Sequence, residues 1–244
     1  HTQIRQVSVA SASLRDTLQE AWGFIQEVPA FRYLMIAILG LTIADTIIEF
    51  RFFVITDAAY AGTDDFQVFF STYRLGITLL ALFVQGFLTS RLINWLGLKN
   101  SFILLPVVTL AAAIAMMIFP GGPWSVAAAV GAMGSVKLLR DTIAESSRKS
   151  FQGLVPEERR GRVSLFMDSY LPASGTILGA ALAGGVVFAG IRLEFALIYV
   201  IYLGITIAAA LLAIWAVLQM RRTYDSSMLN WRLNRRQRAG SLLD

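Results

Sequence analysis

Apolar residues run through this chain in six long stretches, at about 31–55, 66–89, 101–119, 124–146, 163–189 and 193–220. Each is close to or above the roughly 20 residues a helix needs to cross a hydrocarbon core about 30 Å thick. The pattern predicts an all-α integral membrane protein, a six-helix bundle over 31–220. Pro120-Gly121-Gly122-Pro123 reads as a tight turn between the third and fourth stretches. Ahead of the bundle, Leu14, Leu18, Trp22 and Ile25 recur at intervals of three or four, which predicts an amphipathic cytoplasmic linker helix within 1–30. Behind it, 221–244 is basic and amphipathic, with Met228, Leu229, Trp231 and Leu233 on a helical period. That tail suits the anionic inner leaflet, or a connection to a further cytoplasmic domain.

Composition agrees. The chain has 244 residues, 56% hydrophobic and only 15% charged, with a mean hydropathy of +0.63; soluble domains carry about 25% charged residues. There is no cysteine, and the single histidine is His1. Disulfides, thiolate metal sites and a buried histidine relay are therefore excluded, and no cofactor is expected. The net charge of +5 does not point to a nucleic acid, because the bases gather in the connections and tails. Arg91, Lys99, Arg148, Lys149, Arg159, Arg160, Arg162 and the arginines from Arg221 onward fall on one side of the predicted bundle. Only Arg192 falls on the other, with Asp57, Asp64, Asp65 and Glu194. The positive-inside rule places both ends in the cytoplasm. No cleavable signal peptide is visible, and the absence of an initial Met suggests part of a longer protein.

Three stretches carry charges well inside them. A charge in hydrocarbon costs at least about 2.5–3.5 kcal/mol on insertion scales, so such residues seek a bundle interior, a partner charge or water. Asp45 and Glu49 are spaced i, i+4 on one face of the first stretch, in its outer half, with Arg51 close by. Arg74 lies at a similar depth in the second, so an ion pair with Glu49 or Asp45 is expected. These four residues are the candidate gate or coupling group. In the fourth stretch Lys137, Asp141 and Glu145 recur every four residues with Arg140 beside them, toward the cytoplasmic end. Either they form an internal ladder of ion pairs, or they line a water-filled wall where Lys137 and Arg140 draw an anion. Gly175 and Gly179 in the fifth form a small-xxx-small ridge suited to close helix packing.

Several of these runs resemble a known family. Gly86-Phe87-Leu88-Thr89-Ser90-Arg91, followed by Gly97-Leu98-Lys99, resembles the loop between helices two and three of a major facilitator half. The run 154–162 (LVPEERRGR), followed by the stretch from Asp168 to Gly179, resembles the corresponding loop and fifth helix of the bacterial nucleotide-translocase-like branch. Glu49-Phe50-Arg51-Phe52-Phe53 is similar to the acidic–aromatic–polar–Phe–Lys motif of that branch's seventh helix, with Phe53 at the lysine position and the base at Arg51. The resemblance covers 31–220. It implies one lobe of two three-helix repeats, the second half of a twelve-helix transporter in a bacterial inner membrane.

The expectation is a lobe of a secondary transporter that moves an anionic solute, a nucleotide or phosphorylated compound among the candidates, by alternating access against a second six-helix lobe. Lys137, Arg140, Asp141 and Glu145 would face the substrate. The rival readings are a non-transporting membrane subunit of a larger complex and a membrane sensor module. No nucleophile–base pair, metal cluster or phosphate loop suggests an enzyme. The expected partners are the lipid bilayer and a second lobe or another membrane subunit.

Overall fold

The computed structural model describes residues 23, 28–60, 65–152, 155, 157–192 and 197–240. The linker helix expected within 1–30 lies almost wholly outside these residues. Every secondary-structure element among them is helical. Six long helices follow one another. Helix α1 is Pro29–Ala59 and α3 is Leu98–Ile118. Helix α2 (65–96) joins Asp65–Phe83 to Thr89–Leu96 through a π-helical turn, Val84–Leu88. Helix α4 (125–152) joins Ser125–Leu139 to Glu145–Gln152 through a second π turn, Arg140–Ala144. Helix α5 (157–192) joins Glu157–Leu165 to Leu171–Arg192 through a third, Phe166–Tyr170. Helix α6 is Ile198–Gly240, 43 residues without a break. The tail expected to resume a helix after 220 is therefore a continuation of the last membrane helix.

Local chemistry sets several of the helix limits. Pro29 opens α1, where its missing N–H is no loss. The α1 helix closes as Tyr60 N–H donates to Thr56 O at 3.1 Å. Gly97, at φ +77°, makes the one-residue junction between α2 and α3. Gly122, at φ +82°, sits in the Pro-Gly-Gly-Pro turn before α4. Both backbone conformations suit glycine and few other residues.

Five helical segments are long and apolar enough to cross a membrane: Pro29–Ala59, Asp65–Phe87, Asn100–Ile118, Arg160–Arg192 and Ile198–Thr223. The chain is a multi-pass helical membrane protein. Helix α4 does not qualify on the same measure, because every stretch of it long enough to cross contains Lys137, Arg140 and Asp141. It nevertheless runs between the same two ends of the bundle as its neighbours.

Two buried clusters mark those ends. One gathers Phe31, Leu34, Phe102, Val163, Met167, Val217 and Met220, from the starts of α1, α3 and α5 and from α6 where it leaves the bundle. The other gathers Ile47, Phe52, Ile55, Met116, Ala129, Met133, Ala183 and Leu203, from the opposite helix ends. Successive helices therefore run antiparallel. Helix α1 is central and packs on α3, α4, α5 and α6. On the α5 side the glycine ridge does what its spacing predicts. A Cβ on Gly175 would lie 2.8 Å from Thr42 Cβ, and one on Gly179 would lie 2.9 Å from Thr46 Cβ and 3.0 Å from the Ile43 carbonyl oxygen.

Helix α2 stands apart. Asp65–Phe83 has no buried residue, and Val68, Leu75, Leu79, Leu82 and Phe83 are all more than half exposed. It packs on α4, where a Cβ on Gly134 would lie 2.9 Å from Ile77 Cδ1, and meets the end of α1 through aromatic pairs: Tyr60 stacks on Phe69 at 4.8 Å, and Phe53–Phe70 and Phe52–Tyr73 lie at 5.7 and 5.1 Å between centroids.

Candidate functional site

A cavity of about 370 Å³, open along one side, runs through the middle of the bundle between α1, α3, α4 and α5. Its floor is apolar, with Leu34, Leu41, Phe102, Leu105 and Val136. Its rim carries seven ionisable side chains: Asp45 and Glu49 from α1; Arg140, Asp141, Glu145 and Arg148 from α4; and Asp168 from α5. Two of the three π turns supply members of this set, Arg140 and Asp141 from one and Asp168 from the other. A π turn inserts an extra residue into the helical ladder and re-aims the side chains around it.

Arg140 is the hub. Its Nη1 donates to Asp45 Oδ2 and its Nε to Asp141 Oδ1, the latter at 3.2 Å. This joins the central helix to α4. The expectation that the charges of the first and fourth stretches lie at different depths is overturned by that contact. Asp45 falls one residue past the middle of α1, 29–59, and was already only two residues past the middle of the apolar stretch 31–55. Arg140 is likewise mid-way along α4. Asp45 is buried, whereas the Arg140 side chain keeps 43% of its exposure, so the pair is half open to the cavity. Further along α4, Arg148 Nε lies 3.2 Å from Asp168 Oδ1, and Lys149 Nζ lies 2.7 Å from Glu145 Oε1.

Lys137 is not on the wall. With the π turn in place, Val136 and Arg140 form the cavity face upstream, and Asp141, Ala144, Glu145 and Arg148 form it downstream. The regular four-residue period of Lys137, Asp141 and Glu145 assumes an uninterrupted α-helix, and the helix is not one.

The outer charges separate in the same way. Arg51 is buried and faces away from the cavity. Its Nη2 donates to Pro120 O at 2.7 Å and its Nη1 to Tyr202 Oη at 3.0 Å. Its guanidinium also lies over the Tyr199 ring at 5.1 Å. It ties α1 to the turn before α4 and to the start of α6. Arg74 is exposed and makes no ion pair among the described residues, so the expected pair with Asp45 or Glu49 does not form. Replacing Arg74 by alanine is expected to change stability by less than about 0.5 kcal/mol, measured by unfolding in detergent micelles.

Sequence reasoning missed Thr42, Thr46, Thr109 and Thr176, which also line the cavity. Single hydroxyls in apolar runs carry no signal that separates a wall from a packed core. Asp168 did carry one, as a lone acid four residues before Pro172.

Compared with family models, curated proteins and solved structures, the chain matches none of them significantly.

Proposed function

We propose that this bundle is one lobe of a secondary membrane transporter, major-facilitator-like and built of two three-helix repeats, that moves a charged solute by alternating access. Helix α4 is its sixth crossing, and both of its ends lie on the cytoplasmic side of a bacterial inner membrane. One observation carries the reading: seven ionisable side chains converge, from three helices, on a cavity in the middle of an apolar bundle. Intramembrane charge that serves packing alone has no need of an open cavity of 370 Å³. Solute sites near mid-height between repeats suit a lobe that rocks against a partner.

The unburied α2 supports the same reading. Arg74 on its surface is costly beside lipid and is readily met by an acid or by water on the face of a second lobe. Arg140 is then the residue whose partners change during the cycle, because it already divides its donors between Asp45 on one helix and Asp141 on its own. The anionic solute implied by the sequence would have to be drawn by Arg140 and Arg148, the two bases of the wall, each already set against a carboxylate.

The test is gradient-driven uptake into proteoliposomes by the protein in its natural assembly. Arg140→Ala is expected to lower the initial rate at least about tenfold, equivalent to about 1.4 kcal/mol, while Arg74→Ala retains the structure. Uptake unchanged by Arg140→Ala removes the role given to this residue. No uptake by the unmodified protein under any gradient favours the non-transporting membrane subunit.

A further inference from the structure

Asp45 has an oxygen that the fold leaves unused. Oδ2 receives Arg140, but Oδ1 is buried and meets no donor among the described residues. The residue is only 7% exposed, and it lines the cavity. A buried acceptor without a donor is destabilising, so this oxygen marks a place where a donor belongs.

Three of the four threonine hydroxyls on the wall have the same bias. The Thr42 and Thr109 hydroxyls donate to Ile38 O and Leu105 O at 2.8 and 2.9 Å, and the Thr46 hydroxyl donates to Thr42 O at 2.9 Å. What these hydroxyls have left to offer is lone pairs. Glu49, one turn beyond Asp45 on the same face, forms no ion pair among the described residues. Both guanidiniums of the wall face carboxylates, Arg140 those of Asp45 and Asp141 and Arg148 that of Asp168, although the buried Arg148 Nε completes no hydrogen bond among the described residues. The rim holds five carboxylates against two guanidiniums, and Lys149 meets only one of the surplus acids, Glu145.

We infer that the cavity binds a small organic cation bearing an ammonium or guanidinium group, with Asp45 Oδ1 and Glu49 as its charged acceptors. The inference deepens the transporter reading and rests on it for the use of the cavity as a solute path. An ammonium brings three donors and a guanidinium five, with no acceptor on either, which complements a wall where acceptors outnumber free donors. The volume fits an organic molecule. At 370 Å³ it lies in the roughly 300–1,000 Å³ range of small-molecule sites. A bare ion would fill little of it, and no group of three or more metal-ligating side chains occurs among the described residues. An anion, by contrast, would have to draw Arg140 from Asp45, leaving a buried carboxylate unmatched beside a second negative charge.

Matched pairs of ions distinguish the classes: n-butylammonium against butyrate, and agmatine against succinate. Binding is read by titration calorimetry on the full chain in nanodiscs, and flux in proteoliposomes. Saturable binding of the cations is expected, weakened at least tenfold in Glu49→Gln and further in Asp45→Asn. Because Glu49 is exposed and forms no ion pair among the described residues, Glu49→Gln should keep the parent's melting midpoint, so weakened binding there cannot be attributed to misfolding. Binding of butyrate or succinate but not of the cations, lost in Arg140→Ala, overturns the cation class and leaves the transporter reading standing. Cation binding indifferent to both carboxylate variants overturns the site. Cation binding without flux under any gradient upholds the site and removes the transporter reading. Absence of both binding and flux, for all four ions, overturns both.

Discussion

Arg51→Ala is expected to cost on the order of 3 kcal/mol in stability, the largest effect of any single charged residue in the bundle. Three consequences add. The Pro120 carbonyl loses a donor at 2.7 Å, the Tyr202 hydroxyl loses one at 3.0 Å, and the Tyr199 ring loses the cation above it. Hydrogen bonds to a charged donor are worth about 1.5–3 kcal/mol each, and the removed stem leaves a gap beside Phe50 and Tyr202, which meet edge to face at 5.7 Å. The residue is buried, so water replaces these partners poorly. Arg51→Lys keeps the charge but has no planar fork to serve a carbonyl and a phenol together, and should recover less than half of the loss. Unfolding of the purified protein in mixed micelles measures both variants. A shift below about 1 kcal/mol for Arg51→Ala would mean that the turn before α4 is held by other contacts.

Gly179→Val is expected to force α5 away from α1, at a cost of about 1–3 kcal/mol or more. The nearest atoms to the added Cβ are Thr46 Cβ at 2.9 Å and the Ile43 carbonyl oxygen and Cα at 3.0 and 3.2 Å. Backbone atoms cannot rotate aside as a side-chain tip can. The change should also widen the cavity, whose wall includes Thr42 and Thr46 on one side of this seam and Pro172 and Thr176 on the other. Gly184→Ala is the control. A Cβ there meets nothing within 4 Å, and helix propensity favours alanine over glycine by about 0.5–1 kcal/mol. Unequal effects of the two changes on the unfolding midpoint are expected; equal effects would show that the ridge is not a packing seam.

The apolar runs, the Pro-Gly-Gly-Pro turn and the Gly175–Gly179 seam were legible because each depends on residues near one another in sequence. The shared face of Asp45 and Glu49 was legible for the same reason. Which charges meet across helices was not. That depends on how far each helix runs, and α4 continues to Gln152, six residues beyond the apolar run that predicts it. Arg140 thereby falls near the middle of α4, level with Asp45. The position of Lys137 off the wall was illegible for another reason. Arg140-Asp141-Thr142-Ile143-Ala144 carries no proline or glycine to announce a π turn, so the regular four-residue spacing projected a face that the real helix does not present. Arg51 illustrates a third limit. Its sequence neighbours are acidic and aromatic, but its partners lie 69 and 151 residues away.

Helix α6 runs for 43 residues, about 65 Å at 1.5 Å per residue, roughly twice the thickness of a hydrocarbon core. Its first half packs against α1 and α3, and no proline, π turn or glycine pair interrupts it before Gly240. As one uninterrupted helix it would carry a tilt of its packed half to its far end. A tilt of the bundle by about 15°, typical of rigid-body switching, would swing that end through about 15 Å.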